Sequence, residues 1–167
     1  MRIGLLSDTH SYLDPVILEH FRNCDEIWHA GDVGDVAVLD TLEAAKPLRA
    51  VYGNIDDVTV RRRLPLNQQF IAADLPVLIT HIGGYPGRYT PRVRGLLDEL
   101  HPRLYICGHS HILKVMMDKQ RGVLHINPGA CGRHGFHRMR TVVRFVIDRG
   151  RVENLEVIEL GLRGQID

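Results

Sequence analysis

This 167-residue sequence contains few cysteines and few aromatic residues, and its positive and negative charges nearly balance. The 3 cysteines are an odd number without regular spacing, which argues against a disulfide framework and favours a reducing compartment. Aromatic residues are only 6% of the chain, so few side chains are available to stack on bases. The formal net charge is +1, which gives no overall attraction to nucleic acid or to an anionic membrane surface.

Long hydrophobic runs are also missing. No apolar run approaches the ~18 residues that a membrane-spanning helix needs, and no signal peptide is visible after Met1. We therefore expect a cytoplasmic protein with no membrane partner. A chain of this length is expected to form one domain, residues 1–167, and to bury roughly 70% of its unfolded surface.

The first third of the chain alternates between strand and helix patterns. Residues 2–7, 25–29 and 48–52 are mostly apolar and predict buried strands. Asp14-Pro15 and Asp35 precede stripes of helical spacing, and both aspartates have the position of an N-cap. This alternation predicts a parallel sheet with right-handed crossovers.

The rest of the chain is richer in strands. Residues 55–67 are charged and predict a loop, residues 68–73 and 76–80 predict two strands, and Thr90-Pro91 predicts the start of a helix that runs through Leu100. After the strand that begins at Leu104, residues 115–118, 123–126, 141–148 and 152–160 predict an antiparallel series. We expect one α/β domain with two packed mixed sheets and helices outside them.

Polar motifs follow five of the predicted strands. They are Asp8-Thr9-His10, Gly31-Asp32, Gly53-Asn54, Thr80-His81 and Gly108-His109-Ser110-His111. Ligands of open α/β sheets bind beyond the carboxyl ends of the strands, so these motifs are candidates for one site. In an extended segment the side chains of His109 and His111 would point to the same side and converge on one point.

The motifs supply nitrogen and oxygen donors without an obvious thiolate, a set that suits Zn²⁺, Mn²⁺, Fe or Ni²⁺. Seven donors are too many for one tetrahedral ion and suit two ions that share a carboxylate. The candidate ligands are Asp8, His10, Asp32, Asn54, His81, His109 and His111.

The order DxH, GD, GN, lone His and GHxH resembles the calcineurin-like metallophosphoesterase superfamily over essentially the whole chain. The compact size and Asn127-Pro128-Gly129 resemble its small bacterial and archaeal phosphodiesterase branch, which includes the retromer subunit Vps29. The resemblance implies two divalent ions, Mn²⁺ first and Ni²⁺, Zn²⁺ or Fe as alternatives. It implies one ion on Asp8, His10 and His111, a second on Asn54, His81 and His109, and a bridge through Asp32.

The same resemblance implies hydrolysis of a small phosphodiester by a metal-bridging hydroxide, with Asp32, Asn54 and His109 as catalytic residues. Many members have a histidine after the asparagine, where this chain has Ile55, which cannot transfer a proton. Arg133 and His134 in a glycine-rich loop are candidates for substrate binding.

Two other functions stay open. A Vps29-like protein-binding scaffold with weak catalysis would not need its ligands, yet all seven are chemically competent here. The hypothesis of a metal-dependent nuclease depends only on clusters of arginines. Each cluster is more simply interpreted as a solvent-exposed charged surface. The clusters are Arg61, Arg62 and Arg63; Arg88, Arg92 and Arg94; and Arg133, Arg138 and Arg140.

Some neighbours of the motifs have simpler interpretations. His29 either orients a ligand or is a half-buried strand histidine. Asn54 could serve only as a turn residue, Asp56 is expected to be a loop cap, and Cys107 is expected to pack in the core. Some members of the family form oligomers, and a homo-oligomer is compatible with this chain.

Overall fold

The computed structural model describes residues 1–164, and no helix among them is long and apolar enough to cross a membrane. The strands are β1 Arg2–Leu6, β2 Glu26–His29, β3 Leu48–Ala50, β4 Asn67–Ala72, β5 Leu75–Thr80, β6 Leu104–Ile106, β7 Lys114–Asp118, β8 Val123–Asn127, β9 Met139–Asp148 and β10 Arg151–Leu162. The helices are α1 Pro15–Phe21, α2 Val36–Ala45, α3 Val58–Arg63 and α4 Pro91–Leu100.

The strands form two five-stranded sheets, in the orders β10-β9-β1-β2-β3 and β4-β5-β6-β8-β7. In the first sheet β1, β2 and β3 are parallel, while β9 and β10 are antiparallel additions. In the second sheet β5, β6 and β8 are parallel, with β4 and β7 antiparallel at the edges. The expected pair of mixed sheets is confirmed.

The sheets pack face to face over a shared apolar core, and the helices cover their outer faces. Trp28 lies in this core between Phe70 of the second sheet and Phe145 of the first, with ring centroids 5.1 and 5.8 Å away. α1 and α2 pack on the first sheet, and α4 packs on the second. Burial of these apolar faces holds the carboxyl ends of the parallel strands at fixed positions.

Three helix caps stand where the sequence predicted them. The carboxylate of Asp14 accepts from the N–H of Val16 at 3.1 Å, and that of Asp35 accepts from the N–H of Ala37 at 2.9 Å. The hydroxyl of Thr90 accepts from the N–H of Val93 at 3.3 Å. Each bond satisfies one of the free N–H groups of a first helical turn, worth about 1 kcal/mol.

The loop predicted over residues 55–67 is partly wrong, because α3 lies inside it. Asp57 caps this helix and accepts from the N–H of Thr59 and of Val60. Val60 is the one buried side chain of the six-residue helix, so there was no apolar stripe to detect. Arg63 then binds α2 through Asp40 and Glu43, both at 2.6 Å.

The antiparallel series after residue 114 is also partly wrong. β7 and β8 belong to the second sheet, whereas β9 and β10 belong to the first. β8 is parallel to β6, which precedes it in the sheet. Local strand patterns do not encode which distant strand is the partner, so the crossing between sheets through residues 128–138 was not visible.

Candidate metal centre

Six candidate ligands meet in two groups beyond the ends of β1, β2, β5 and β6. The first group is Asp8, His10, Asp32 and His111, and the second is Asp32, His81 and His109. Within each group the potential ligand atoms lie within 4.8 Å of one another. Asp32 belongs to both groups; that any of these residues ligates an ion stays a prediction.

In the first group, ring nitrogens and carboxylate oxygens face each other across a small space. Nε2 of His111 lies 3.2 Å from Oδ1 of Asp8, and Nε2 of His10 lies 3.5 Å from Oδ2 of Asp32. The two Nε2 atoms are themselves 3.3 Å apart. Both carboxylates are buried, so they lack the water that normally stabilises a charge.

His81 tests whether the second group suits a cation. Its Nδ1 donates to the carbonyl of Ala30 at 2.8 Å, so in neutral imidazole Nε2 has a lone pair and no proton. Nε2 is buried without a hydrogen-bond partner among the described residues, yet it lies 3.1 Å from Oδ1 of Asp32. Two acceptors at this distance repel each other unless a positive charge lies between them. The orphaned nitrogen and the nitrogen and oxygen donors therefore fit a divalent transition ion.

The electrostatics of His81 and Asp32 agree with this need for positive charge. Burial lowers the pKa of His81, but the adjacent carboxylate of Asp32 and the charge of Asp8 outweigh it, so the pKa lies above its ordinary value. Burial raises the pKa of Asp32, but His81 and the N–H of Ile55 outweigh it and hold the pKa below its usual range. Asp32 is therefore ionised at neutral pH.

His137, which sequence reasoning missed, determines the tautomer of His111. Nε2 of His137 donates to the carbonyl of Gly132 at 3.0 Å, so its Nδ1 is an acceptor. Nδ1 of His111 lies 3.2 Å away and must supply the proton of that bond. Nε2 of His111 is then left with a lone pair directed at the first group. No local pattern identifies His137, because the fold of residues 128–138 brings it there.

The backbone at the site is not the extended one expected at the end of β6. β6 ends at Ile106, and His109 and His111 have φ of 68° and 58° in the left-handed region. The expectation that they converge on one point is wrong, since they enter different groups. Asp8, His10 and Asp32 also have positive φ. Such residues cost about 1–3 kcal/mol each in strain and concentrate at functional sites.

His29 is fully buried, not half-buried, and it ties two loops together. The N–H of Gly31 donates to Nδ1 of His29 at 3.1 Å, so Nε2 donates to the hydroxyl of Thr9 at 3.0 Å. That hydroxyl donates to the carbonyl of Val33 at 2.9 Å. Burial lowers the pKa of His29 to about 4, which keeps it neutral. Its hydrogen bonds go to Thr9 and Gly31, and they fix the loops that hold Asp8 and Asp32.

The loop after β3 approaches Asp32 closely. Asp56 is a loop cap as predicted, and its carboxylate accepts from the N–H of Gly34 and of Gly53, both at 2.7 Å. The N–H of Ile55 donates to Oδ1 of Asp32 at 3.1 Å, and a Cβ at Gly53 would collide with the same carboxylate. Asn54 is exposed beside this loop, and its role as a ligand stays a prediction.

Arg133 and His134 lie on the side of the first group. The guanidinium of Arg133 stacks over the ring of Tyr12 at 4.1 Å, and the ring of His134 lies 5.0 Å from that of His10. Contact of either residue with substrate stays a prediction.

Cys107 is buried, and burial raises the pKa of its thiol to about 12, in agreement with a packing role.

Two cavities flank the second group. The larger cavity, about 420 Å³, includes Asn54 and His81 in its wall, and the smaller cavity, about 300 Å³, includes His109. Ile82 and Thr90 line both cavities. A ligand centred on the second group can therefore extend in two directions.

Comparison with known proteins adds the family and its relatives. A sequence model of the calcineurin-like phosphoesterase superfamily domain matches residues 1–150. A protein of Methanocaldococcus jannaschii named "probable metallophosphoesterase" is 33% identical, covering 78% of this chain and 68% of that one. Another from the same organism, named "phosphodiesterase", is 30% identical, covering 78% and 84%.

Two solved structures share the fold. An archaeal phosphodiesterase has a TM-score of 0.76 and 23% identity, with 96% of this chain and 100% of that chain covered. Vps29 of Chaetomium thermophilum has a TM-score of 0.75 and 16% identity, with 96% and 97% covered. At these identities the likeness is one of fold alone.

Proposed function

The chain belongs to the calcineurin-like phosphoesterase superfamily, and from this premise we propose that it hydrolyses phosphodiesters with two divalent ions. Family membership and the clustered aspartates and histidines support a metal-dependent phosphoesterase. The observation that carries the two-ion proposal is Asp32, whose carboxylate is shared by both groups.

The proposed ligands divide between the two groups. Asp8, His10 and His111 would hold one ion, Asn54, His81 and His109 the other, and Asp32 would serve both. Such ions, when bound, neutralise charge on phosphoryl oxygens and lower the pKa of water toward neutrality. Mn²⁺ is the first expectation, with Ni²⁺, Zn²⁺ or Fe as alternatives.

The protein's own contribution is to orient these donors before substrate arrives. The bond from His81 to Ala30 and that from His111 to His137 turn each Nε2 lone pair toward a carboxylate. The N–H of Ile55 donates to Asp32 and holds the shared carboxylate in place. Prearranged charges need little reorganisation during the reaction, which is the largest contribution that most hydrolytic sites make.

The preference for diesters is supported by the two cavities. A phosphodiester has two organic arms, and the larger and smaller cavities offer a place for each. A monoester would leave one cavity unused. Ile55 is 45% exposed at the rim and cannot protonate a leaving group, so we expect esters of acidic alcohols to react fastest.

The cellular location of the protein and its alternative function as a protein-binding scaffold are also proposals. Cys24, Cys107 and Cys131 are free thiols, in keeping with the predicted cytoplasmic location. A Vps29-like scaffold shares the fold but has no need of the oriented imidazoles. The extent of the domain over residues 1–167 stays a prediction.

The test is hydrolysis of bis(4-nitrophenyl) phosphate and of 4-nitrophenyl phosphate by chelator-stripped protein. Mn²⁺, Ni²⁺, Zn²⁺ or Mg²⁺ is added back to the wild type, to His109→Ala and to the control His20→Ala, which alters α1 away from the site. We expect metal-restored cleavage that favours the diester and is lost only in His109→Ala. Absence of turnover with every ion in folded protein would contradict the proposal and leave the scaffold as the better account.

A further inference from the structure

Two arginines in the wall of the larger cavity have a positive charge that no acidic side chain among the described residues neutralises. Nε of Arg61 donates to the carbonyl of Asp56 at 2.7 Å, and its Nη2 donates to the carbonyl of Asn54 at 3.1 Å. Arg92 donates to the side-chain oxygen of Asn67 at 2.7 Å and to the hydroxyl of Thr80 at 2.9 Å. All these acceptors are neutral, and among the described residues neither guanidinium has a carboxylate partner.

Three arginines outside the cavity differ from Arg61 and Arg92 in having acidic partners. Arg63, two residues after Arg61 on α3, pairs with two carboxylates. Arg49 pairs with Glu26 at 2.8 Å, and Arg144 pairs with Glu156. These three arginines lie outside the cavity and are paired with acids. Arg61 and Arg92 are instead held in position by neutral oxygens that leave the positive charge uncompensated.

With these bonds made, each of the two arginines still has N–H groups that can donate to a ligand. Nη1 of Arg61 and Nε of Arg92 have no partner among residues 1–164. The Arg61 guanidinium also lies 5.0 Å from the centre of the Tyr52 ring, which limits its freedom. A guanidinium held in this way keeps N–H groups that can donate to an oxyanion, and it loses little side-chain entropy when it does so.

The remainder of the cavity wall is largely apolar. Tyr52, Leu66, Ile82 and Pro91 contribute to it, and the cavity reaches the second group at His81. A ligand that fits this wall has an apolar or flat body next to its reacting phosphate and an anion farther along. Two guanidinium charges match the charge of roughly −2 on a phosphate monoester better than the single charge of a carboxylate.

We propose that the larger cavity binds one arm of the substrate diester, and that this arm carries a second, terminal phosphate on an apolar body. The inference rests on the proposed function, because the reacting phosphate is taken to lie at the metal centre. It narrows the substrate class to diesters with an additional phosphate monoester, and it gives Arg61 and Arg92 the role of specificity-determining residues.

The experiment compares three chromogenic diesters that release 4-nitrophenol from the same bond. Their second arms are phenyl, 4-carboxyphenyl and 4-(phosphonomethyl)phenyl, the last being a phosphate mimic that cannot be hydrolysed. We expect the kcat/KM of the metal-loaded wild type to be about tenfold higher for the phosphonate arm than for the phenyl arm, as charged hydrogen bonds allow. The carboxylate arm should give a smaller increase.

Matched variants distinguish a specific role of these two arginines from a general effect of positive surface charge. In Arg61→Gln and in Arg92→Gln the ratio of phosphonate to phenyl kcat/KM should fall to about one. Arg62 and Arg94 are exposed neighbours on the same two helices that do not line the cavity, so Arg62→Gln and Arg94→Gln should keep the ratio of the wild type. Arg61→Lys, which keeps the charge, should recover part of the ratio.

A binding measurement distinguishes the failure of this inference from the failure of the proposed function. Benzylphosphonate is titrated calorimetrically into metal-stripped protein, where turnover plays no part. Weaker binding by Arg61→Gln and Arg92→Gln than by Arg62→Gln supports the inference even if no diester is hydrolysed. Hydrolysis of the phenyl diester without a phosphonate preference in the wild type overturns it, and so does an equal preference for the carboxylate.

Discussion

Replacement of His137 is the most informative single change at the metal centre, because His137 is not itself a candidate ligand. Its Nδ1 accepts the proton of His111 Nδ1, and without it that ring can rotate or adopt the other tautomer. We expect His137→Ala to weaken divalent-ion binding at the first group while the fold remains intact.

The size of the effect follows from the geometry of the lost bond. Removal of such an orienting partner typically lowers metal affinity 10–100-fold. The His111–His137 distance of 3.2 Å is at the long end for this bond, and both rings are partly exposed, so water can replace part of the interaction. We therefore expect about a tenfold loss, equivalent to about 1.4 kcal/mol.

The assay is calorimetric titration of Mn²⁺ into chelator-stripped protein. His137→Gln supplies a carbonyl oxygen that can accept the same proton, so it should bind Mn²⁺ more tightly than His137→Ala. His134→Ala changes a neighbouring ring that makes no hydrogen bond with His10 or His111, and it should match the wild type. Unchanged affinity in His137→Ala, or equal losses in all three variants, would refute the tautomer argument.

Two further predictions concern stability and a third concerns metal binding. Mn²⁺ at one hundred times its Kd should add about 2.7 kcal/mol per site and raise Tm by roughly 5–11 °C in thermal scans; no shift would contradict metal binding. The pKa of His29 lies at about 4 in the fold against 6.5 ordinarily, so the unfolded chain binds more protons between these values. Unfolding free energy should fall by about 3 kcal/mol as pH drops through this window and less steeply in His29→Gln; equal slopes in denaturant titrations would refute it. Gly53→Ala should lose Mn²⁺ binding through collision with Asp32, and retained binding would show that the loop relaxes.

The general architecture was predictable because its signals are local. Alternation of apolar runs with capped helices identified the parallel strands, and Asp14, Asp35 and Thr90 cap helices in the structure. Polar residues that directly follow such strands must lie at one edge, so the meeting of Asp8 and Asp32 could be anticipated.

The remaining features depend on contacts that no local pattern contains. α3 has one buried side chain, Val60, and was indistinguishable from a charged loop. His109 and His111 have left-handed φ, and the N–H of His109 donates to the Asp8 carboxylate at 3.2 Å, a contact between residues far apart in sequence. His137 reaches His111 only because residues 128–138 cross between the sheets.

The number of ions bound per chain tests the central claim most directly. Wild-type protein is dialysed against Mn²⁺, and the bound ions are counted by native mass spectrometry beside Asp32→Ala and His111→Ala. A centre of two ions that share Asp32 predicts two in the wild type, one in His111→Ala and fewer than two in Asp32→Ala. A single ion in the wild type, or two ions retained in Asp32→Ala, would contradict it.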